Sequence, residues 1–386
     1  MNTYFVDLHV HIGRTYKGRA VKITGSKNLT LENILTYSNE PKGLDVIGII
    51  DCHSPEVIEE IENLIEAGEI EELEKGGFQH RDGTVLIPGS EIELYNADSQ
   101  GPIHVLAYFP SLHKLKTFSG WLSQHVTNIH LSTQRIYCSS ITLQQKVKEL
   151  EGLFIAAHVF TPFKSLYGKG VKNSLTEVLD PELIDGIELG LSANTEMASG
   201  IEELKQYSFV TNSDAHSLQK MAREYQAVEM EQPNFSEIKL ALKGKCGRKI
   251  KTNYGLNPLL GKYYDTTCKD CGGKLENDEK ICRFCGSHKT IRGVRHRIKE
   301  LSGNREKVKR PPYIPQVPLE YIGGLGPKTM TKLLARFKTE MNILHHVTIE
   351  ELKEILPEKL AENIIRARNG ELLIEAGGGG KYGKVK

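Results

Sequence analysis

Nowhere in the 386 residues is there an apolar run of about 18, so no membrane-spanning helix is expected. The opening residues, MNTYFVDLHV, lack the basic, apolar and small-residue succession of a secretory leader. Cysteine is sparse: seven residues over this length do not make a disulfide-stapled secreted module. No internal repeat is visible. With 39% hydrophobic and 26% charged residues, fibrous and disordered classes are set aside as well. The expectation is a soluble, cytoplasmic, nucleoid-associated monomer. At roughly 150 residues per domain it should hold two or three domains.

Net charge is also nearly absent, at +1, but this conceals a split. Residues 246–386 carry 28 basic and 16 acidic residues, a net of +12, whereas residues 1–245 carry 22 and 33, a net of −11. An acidic body joined to a basic part fits a polyanionic partner, although differing helix surfaces would give the same split.

Up to about residue 245, short β-rich runs alternate with helical patterns. The runs are Phe5–His11, Val46–Ile50, Thr84–Leu94, His104–Phe109, Leu153–Phe160, Gly186–Leu191 and Phe209–Ser213. The clearest helix starts at Ser54-Pro55 and extends to Leu73, with Ser54 as N-cap and Ile58, Ile61, Leu64 and Ile65 as its apolar stripe. This alternation predicts an α/β fold, a mostly parallel sheet covered by helices and either open or closed into a barrel. In closed barrels of this kind, sites gather at the C-terminal strand ends.

His9 and His11 stand two apart in a strand pattern, so both rings project from one face. Alone this is weak. Yet Asp51, Glu91, His104, His158, Asp214 and His216 also lie in or just after apolar strands. Metal binding explains all of them together, and these donors suit Zn, Mn or Fe.

Asp7-Leu8-His9-Val10-His11, Glu91, His104, His158 and Ser213-Asp214-Ala215-His216 resemble the motifs of the polymerase-and-histidinol-phosphatase (PHP) superfamily over about residues 1–230. The resemblance implies a distorted (β/α)7 barrel with two or three divalent metals (Zn, Mn, Fe or Mg) in its mouth. By motif, His9, His11, Glu91 and Asp214 would hold one metal and form the catalytic set. Glu91 would bridge to a second, held by His104 and His158, and Asp51 and His216 would help a third. Two departures stand out. The family's usual Asp-His pair reads Asp51-Cys52-His53 here, and no histidine occurs in Arg14–Arg19. Cys52 or His53 is a candidate substitute ligand, and a small buried thiol is the commoner fate of such a cysteine.

Cys268-x2-Cys271 and Cys282-x2-Cys285 provide four thiolates at the spacing of a closed tetrahedral zinc site, a zinc ribbon that aims its loops. Lys289 to Arg310 then carries nine Lys or Arg and two acids. Leu319 to Thr329, with Gly324, Gly326, Lys328 and Thr329 at a Gly-x-Gly turn, resembles a helix-hairpin-helix motif that binds DNA phosphate through backbone N–H groups. Lys164, Lys169, Arg292, Arg295 and Arg297 are further DNA-contact candidates. Tyr167, Ser192 and Asn194 are candidates for a base pocket. The expected organisation is a barrel over 1–245, connector and ribbon over 246–290, a basic tether over 291–312, helix-hairpin-helix region over 313–376 and a Gly-rich basic tail over 377–386.

Taken whole, this order resembles the endonuclease Q family of DNA-repair enzymes. That resemblance implies nicking of DNA 5′ to uracil, hypoxanthine, xanthine and abasic sites by metal-activated water, leaving 3′-hydroxyl and 5′-phosphate ends. The residues themselves lead only to a metal-dependent phosphodiesterase acting on nucleic acid. A small-molecule phosphatase of the histidinol-phosphate kind and a non-catalytic DNA-binding protein remain alternatives.

Overall fold

Every residue of strand β1 (Asn2–Val10) from Val6 onward is buried, yet Asp7 and His9 are among them. A bulge reconciles the two. Pairing of β1 with β2 (Val46–Ile49) is parallel and shifts register between Asp7 and Val10. Val6 and Leu8 belong to one apolar cluster, whereas Val10 belongs to the other. After the shift, His9 and His11 therefore take over the inward-facing positions.

The computed structural model describes residues 1–276, 279–302, 307–372, 374–375 and 384–385. Five further strands continue the sheet from β2: β3 (Val85–Leu94), β4 (Ile103–Tyr108), β5 (Leu153–Ala156), β6 (Gly186–Glu188) and β7 (Ser208–Val210). A parallel bridge from Val10 to Ala215 brings the far end back to β1. The result is a mixed parallel and antiparallel sheet in which these seven of its twelve strands curl on themselves. β4 is antiparallel to both neighbours. The cause is the connection of residues 95–102, which is shorter than the dozen or so residues a parallel crossover needs.

One apolar cluster fills the interior with Val6, Leu8, Val85, Ile87, Leu106, Tyr108, Ile155 and Val210, and helix α5 (Phe235–Leu242) packs into it. The other lies between the sheet and helices α1 (Leu31–Tyr37), α2 (Pro55–Glu66), α3 (Leu112–Leu122) and α4 (Ser140–Glu149). Helix α2 stops short of Leu73, because Gly68 takes a left-handed φ of 70°. Ser54 sits at its N-cap position without making a side-chain cap bond.

The sheet also runs past residue 245. β8 (Tyr225–Met230) pairs with β1, β9 (Lys249–Gly255) with β8, and β10 (Tyr313–Pro315) with β9. Between the last two lies the cysteine module, whose strands Thr267–Cys268 and Thr290–Ile291 pair. The basic stretch folds in part into helix α6 (Val294–Ser302). A single turn, Leu319–Tyr321, precedes α7 (Pro327–Phe337), α8 (Glu340–His345), α9 (Ile349–Lys353) and α10 (Glu358–Arg368). Residues 303–306 of the expected tether and most of the 377–386 tail lie outside the described residues. Among the described residues, no helix is long and apolar enough to cross a membrane.

Candidate metal centre

Above the apolar interior, the strand ends bring two groups of donors together: His9, His11 and Asp214, and Glu91, His104 and His158. Within the first, the Nε2 atoms of His9 and His11 lie 3.5 and 3.4 Å from Asp214 Oδ1. These Nε2 atoms are buried and accept no hydrogen bond. Such separations suit two ligands sharing one ion about 2.1 Å from each. Glu91 stands between the groups. Its Oε1 is 2.9 Å from His104 Nδ1 and 3.3 Å from His158 Nε2, and its Oε2 is 3.5 Å from His11 Nε2. The residues present thus fit two divalent cations with one carboxylate between them.

The rings are oriented from behind. His9 Nδ1–H donates to Glu188 at 3.0 Å, and His11 Nδ1–H to Asp51 at the same distance. A carboxylate behind an imidazole fixes the tautomer and leaves Nε2 as the ligand. Glu188 also accepts from His158 N and Asn212 Nδ2, at 2.8 and 2.7 Å, so it ties both groups together. Asp214 and His158 adopt left-handed φ of 46° and 30°, a strained geometry for such residues. Arg223 holds the Asp214 loop by donating to the carbonyls of Ser213 and Asp214, at 2.6 and 3.2 Å.

The electrostatics suit cations. Burial alone would lower the pKa of His9, but the carboxylates of Glu188, Asp214 and Glu91 raise it to about 10. Burial disfavours the Glu91 charge, yet His104, Lys22 and His158 hold its pKa well below the usual range. Asp214 is likewise held low against burial by His9, His11 and His216. The carboxylates that raise His9 are the charges that metal cations would neutralise at this centre.

Asp51 engages His11 and the Ile12 N–H, and His216 Nδ1 lies 3.0 Å from the Asp214 carbonyl, its ring tilted 57° to that of His11 at 4.6 Å. Cys52 is buried, which pushes its thiol pKa up. His53 has both ring nitrogens engaged, with Ser90 and the Leu131 carbonyl. Neither reaches the metal groups. Sequence reasoning also missed Glu188, although it lies within the predicted run Gly186–Leu191, and Lys22 and Thr133, which lie 3.2 and 2.5 Å from Glu91 Oε2.

A pocket opens beside the centre, lined by His158, Thr161, Glu188, Gly190, Leu191, Ser192, Asn212, Asp214, Lys262 and Tyr263. Ser192 is therefore at the site. Asn194 instead caps the turn Thr195–Ala198, accepting from Met197 N. Tyr167 is turned inward, buried against Phe160 with its hydroxyl on Glu203, and is not among the residues lining this pocket.

Sγ of Cys268 is 3.5 Å from that of Cys285, and Cys271 the same from Cys282. Disulfides would need about 2.05 Å, whereas thiolates on one tetrahedral zinc stand about 3.8 Å apart. A four-cysteine cluster of this shape suits a structural zinc.

The DNA-contact candidates separate into two kinds. Arg297 is a clamp, donating to the carbonyls of Tyr167, Val171 and Lys172. Arg292 pairs with Glu300, Arg295 with Asp265 and Lys164 with Glu93. Lys169 and Lys328 are exposed. Gly324 turns with φ 94°, and Gly326 caps α7 without a side chain, next to Lys328 and Thr329.

Fold and site together define a curled α/β protein with a histidine-and-carboxylate metal centre. No family model matches the chain. It is 53% identical to the uncharacterized protein YqxK of Bacillus subtilis over 387 residues, all of each chain. The lesion-specific endonuclease PfuEndoQ from Pyrococcus furiosus matches with a TM-score of 0.86 at 32% identity, over 100% of this chain and 95% of that one. An endonuclease Q complex with a 27-mer duplex substrate bearing an abasic lesion at the active site matches with 0.84 at 31% identity, over 100% and 96%. The chain belongs to the endonuclease Q family.

Proposed function

We propose that this chain is a DNA-repair endonuclease that hydrolyses the phosphodiester 5′ to a deaminated base (uracil, hypoxanthine or xanthine) or an abasic site, leaving 3′-hydroxyl and 5′-phosphate ends. The observation that carries this reading is the pair of donor groups sharing Glu91 at the lip of the Ser192 pocket. The family relation supports it, since a relative of 31% identity is described with an abasic duplex at its active site.

Divalent cations held by His9, His11 and Asp214 and by His104 and His158, with Glu91 between, would supply Lewis acidity and an acidified water. The chain supplies the rest. Glu188 and Asp51 keep the histidines in the ligand tautomer, and Arg223 keeps Asp214 in its strained pose. The pocket beside Asp214 receives a nucleotide turned out of the helix, which costs least at a damaged pair. The exposed Gly326–Thr329 turn grips backbone phosphate, and the cysteine module carries structural zinc.

The test is a denaturing-gel assay of end-labelled duplexes with one uracil, hypoxanthine or abasic site beside an undamaged control, with chelated and metal-restored arms. A metal-dependent nick directly 5′ of each lesion, absent from the control, is expected. Cutting of every duplex would discard the lesion reading, and no cutting with any divalent metal would discard the nuclease.

A further inference from the structure

Two rows of side chains climb out of the metal centre to the same exposed patch. Glu91, Glu93 and Tyr95 share one face of β3 and its continuation, at alternate positions. Their exposure rises outward: Glu91 is buried, Glu93 half-buried and Tyr95 40% exposed. Beside them runs the segment 133–137. Glu93 N–H donates to the Gln134 carbonyl and Ile136 N–H to the Glu93 carbonyl, so this segment acts as an added strand. Its row begins with Thr133, whose hydroxyl donates to Glu91, and continues through Arg135 to Tyr137, which is 60% exposed.

At the top of both rows the Arg135 guanidinium lies 4.7 Å from the Tyr95 ring and 5.4 Å from the Tyr137 ring. It also donates to the Tyr95 carbonyl at 2.7 Å. Among the described residues no carboxylate pairs with it. This sets it apart from Arg292, Arg295 and Arg297, whose charge or donors are taken up within the chain. An uncompensated guanidinium held 4.7 and 5.4 Å from the centres of two exposed phenol rings is a ready surface for a flat, electron-rich ring attached to an anionic backbone.

We propose that Tyr95, Arg135 and Tyr137 form a stacking platform for an unstacked base of the cleaved strand, a few nucleotides from the phosphodiester at Glu91. The four-residue rise from Glu91 to Tyr95 spans about 14 Å. Such a platform binds any base and adds affinity without reading sequence. It rests on the nuclease reading above and adds a contact that the metal centre and the Ser192 pocket do not provide.

The experiment uses the full zinc-loaded chain with barrel metals chelated, so that DNA is bound and not cut. Duplexes with an abasic site and 5-iodouracil at each of the three positions on either side are irradiated, and the crosslinked residue is identified by mass spectrometry. Anisotropy gives the affinity of the parent, of a Tyr95→Ala/Tyr137→Ala double variant, and of Tyr95→Phe/Tyr137→Phe, which keeps the rings. Expected are a crosslink to Tyr95 or Tyr137, a loss of roughly tenfold or more with alanine, and parental affinity with phenylalanine. Crosslinks only elsewhere, or an alanine variant that binds like the parent, would overturn the platform. If the alanine variant loses affinity for damaged and intact DNA alike while the parent with its barrel metals restored never cuts, the platform stands and the nuclease reading falls.

Discussion

His9 Nδ1 meets Glu188 at 3.0 Å across 179 positions of sequence, both groups fully buried. This one contact decides which nitrogen of His9 faces the metal centre. Glu188→Gln keeps the shape but removes the charge that holds the ring. Barrel metal affinity should fall about 10- to 100-fold while the cysteine-bound zinc stays. Titration against a competing chelator measures both, and unchanged barrel affinity would refute the orienting role.

Asp214 faces His9 and His11 from a left-handed backbone pinned by Arg223. Asp214→Asn should reduce cutting by about 10²- to 10³-fold, the scale of losing a group that stabilises charge at a reacting centre. Affinity for an abasic duplex should hold. Lost binding with intact turnover would remove Asp214 from the site.

The helical region docks on the barrel through His345, which stacks on Phe5 at 4.5 Å and lies 2.7 Å from the Tyr225 hydroxyl. Burial, with His346 and Arg368 nearby, pushes the His345 pKa down to about 3. The folded pKa is below the unfolded value, so the unfolded chain takes the proton first. Stability from this site is complete above about 6.5 and is lost as pH falls toward 3, by about 1.4 kcal/mol per unit. His345→Phe should therefore flatten the acid limb of Tm against pH relative to the parent. Parallel limbs would show that His345 does not titrate on unfolding.

Lys328 sits exposed in the first turn of α7 beside the bare N-cap Gly326. Lys328→Glu should weaken binding alike on every duplex sequence and lower the slope of log affinity against log salt by about 1. A sequence-dependent loss would mean base contact.

What was legible in the sequence was local. The two-residue spacing of His9 and His11, the paired CxxC motifs and the strand runs each declare themselves within a few positions, and the structure places these histidines and cysteines together. Glu188 was not legible as an orienting group, because its partner is on another strand. The antiparallel β4 was encoded in the short 95–102 connection, a length the strand pattern alone does not weigh. The basic stretch misled in another way. Counting charges cannot tell a phosphate contact from Arg297 donating to three carbonyls, and a place after a predicted strand end cannot tell Tyr167 in a pocket from Tyr167 buried against Phe160.

The Val10–Ala215 bridge also imposes a timetable. Glu91, His104 and His158 are all in hand once the ribosome has made His158, whereas His9 and His11, among the earliest residues made, wait for Asp214. The orienting Glu188 arrives late as well. The group of His9, His11 and Asp214 is therefore complete only after the barrel's last strand has returned to its first. A chain cut between His158 and Asp214 would hold Glu91, His104 and His158 but lack one donor of the His9 and His11 group.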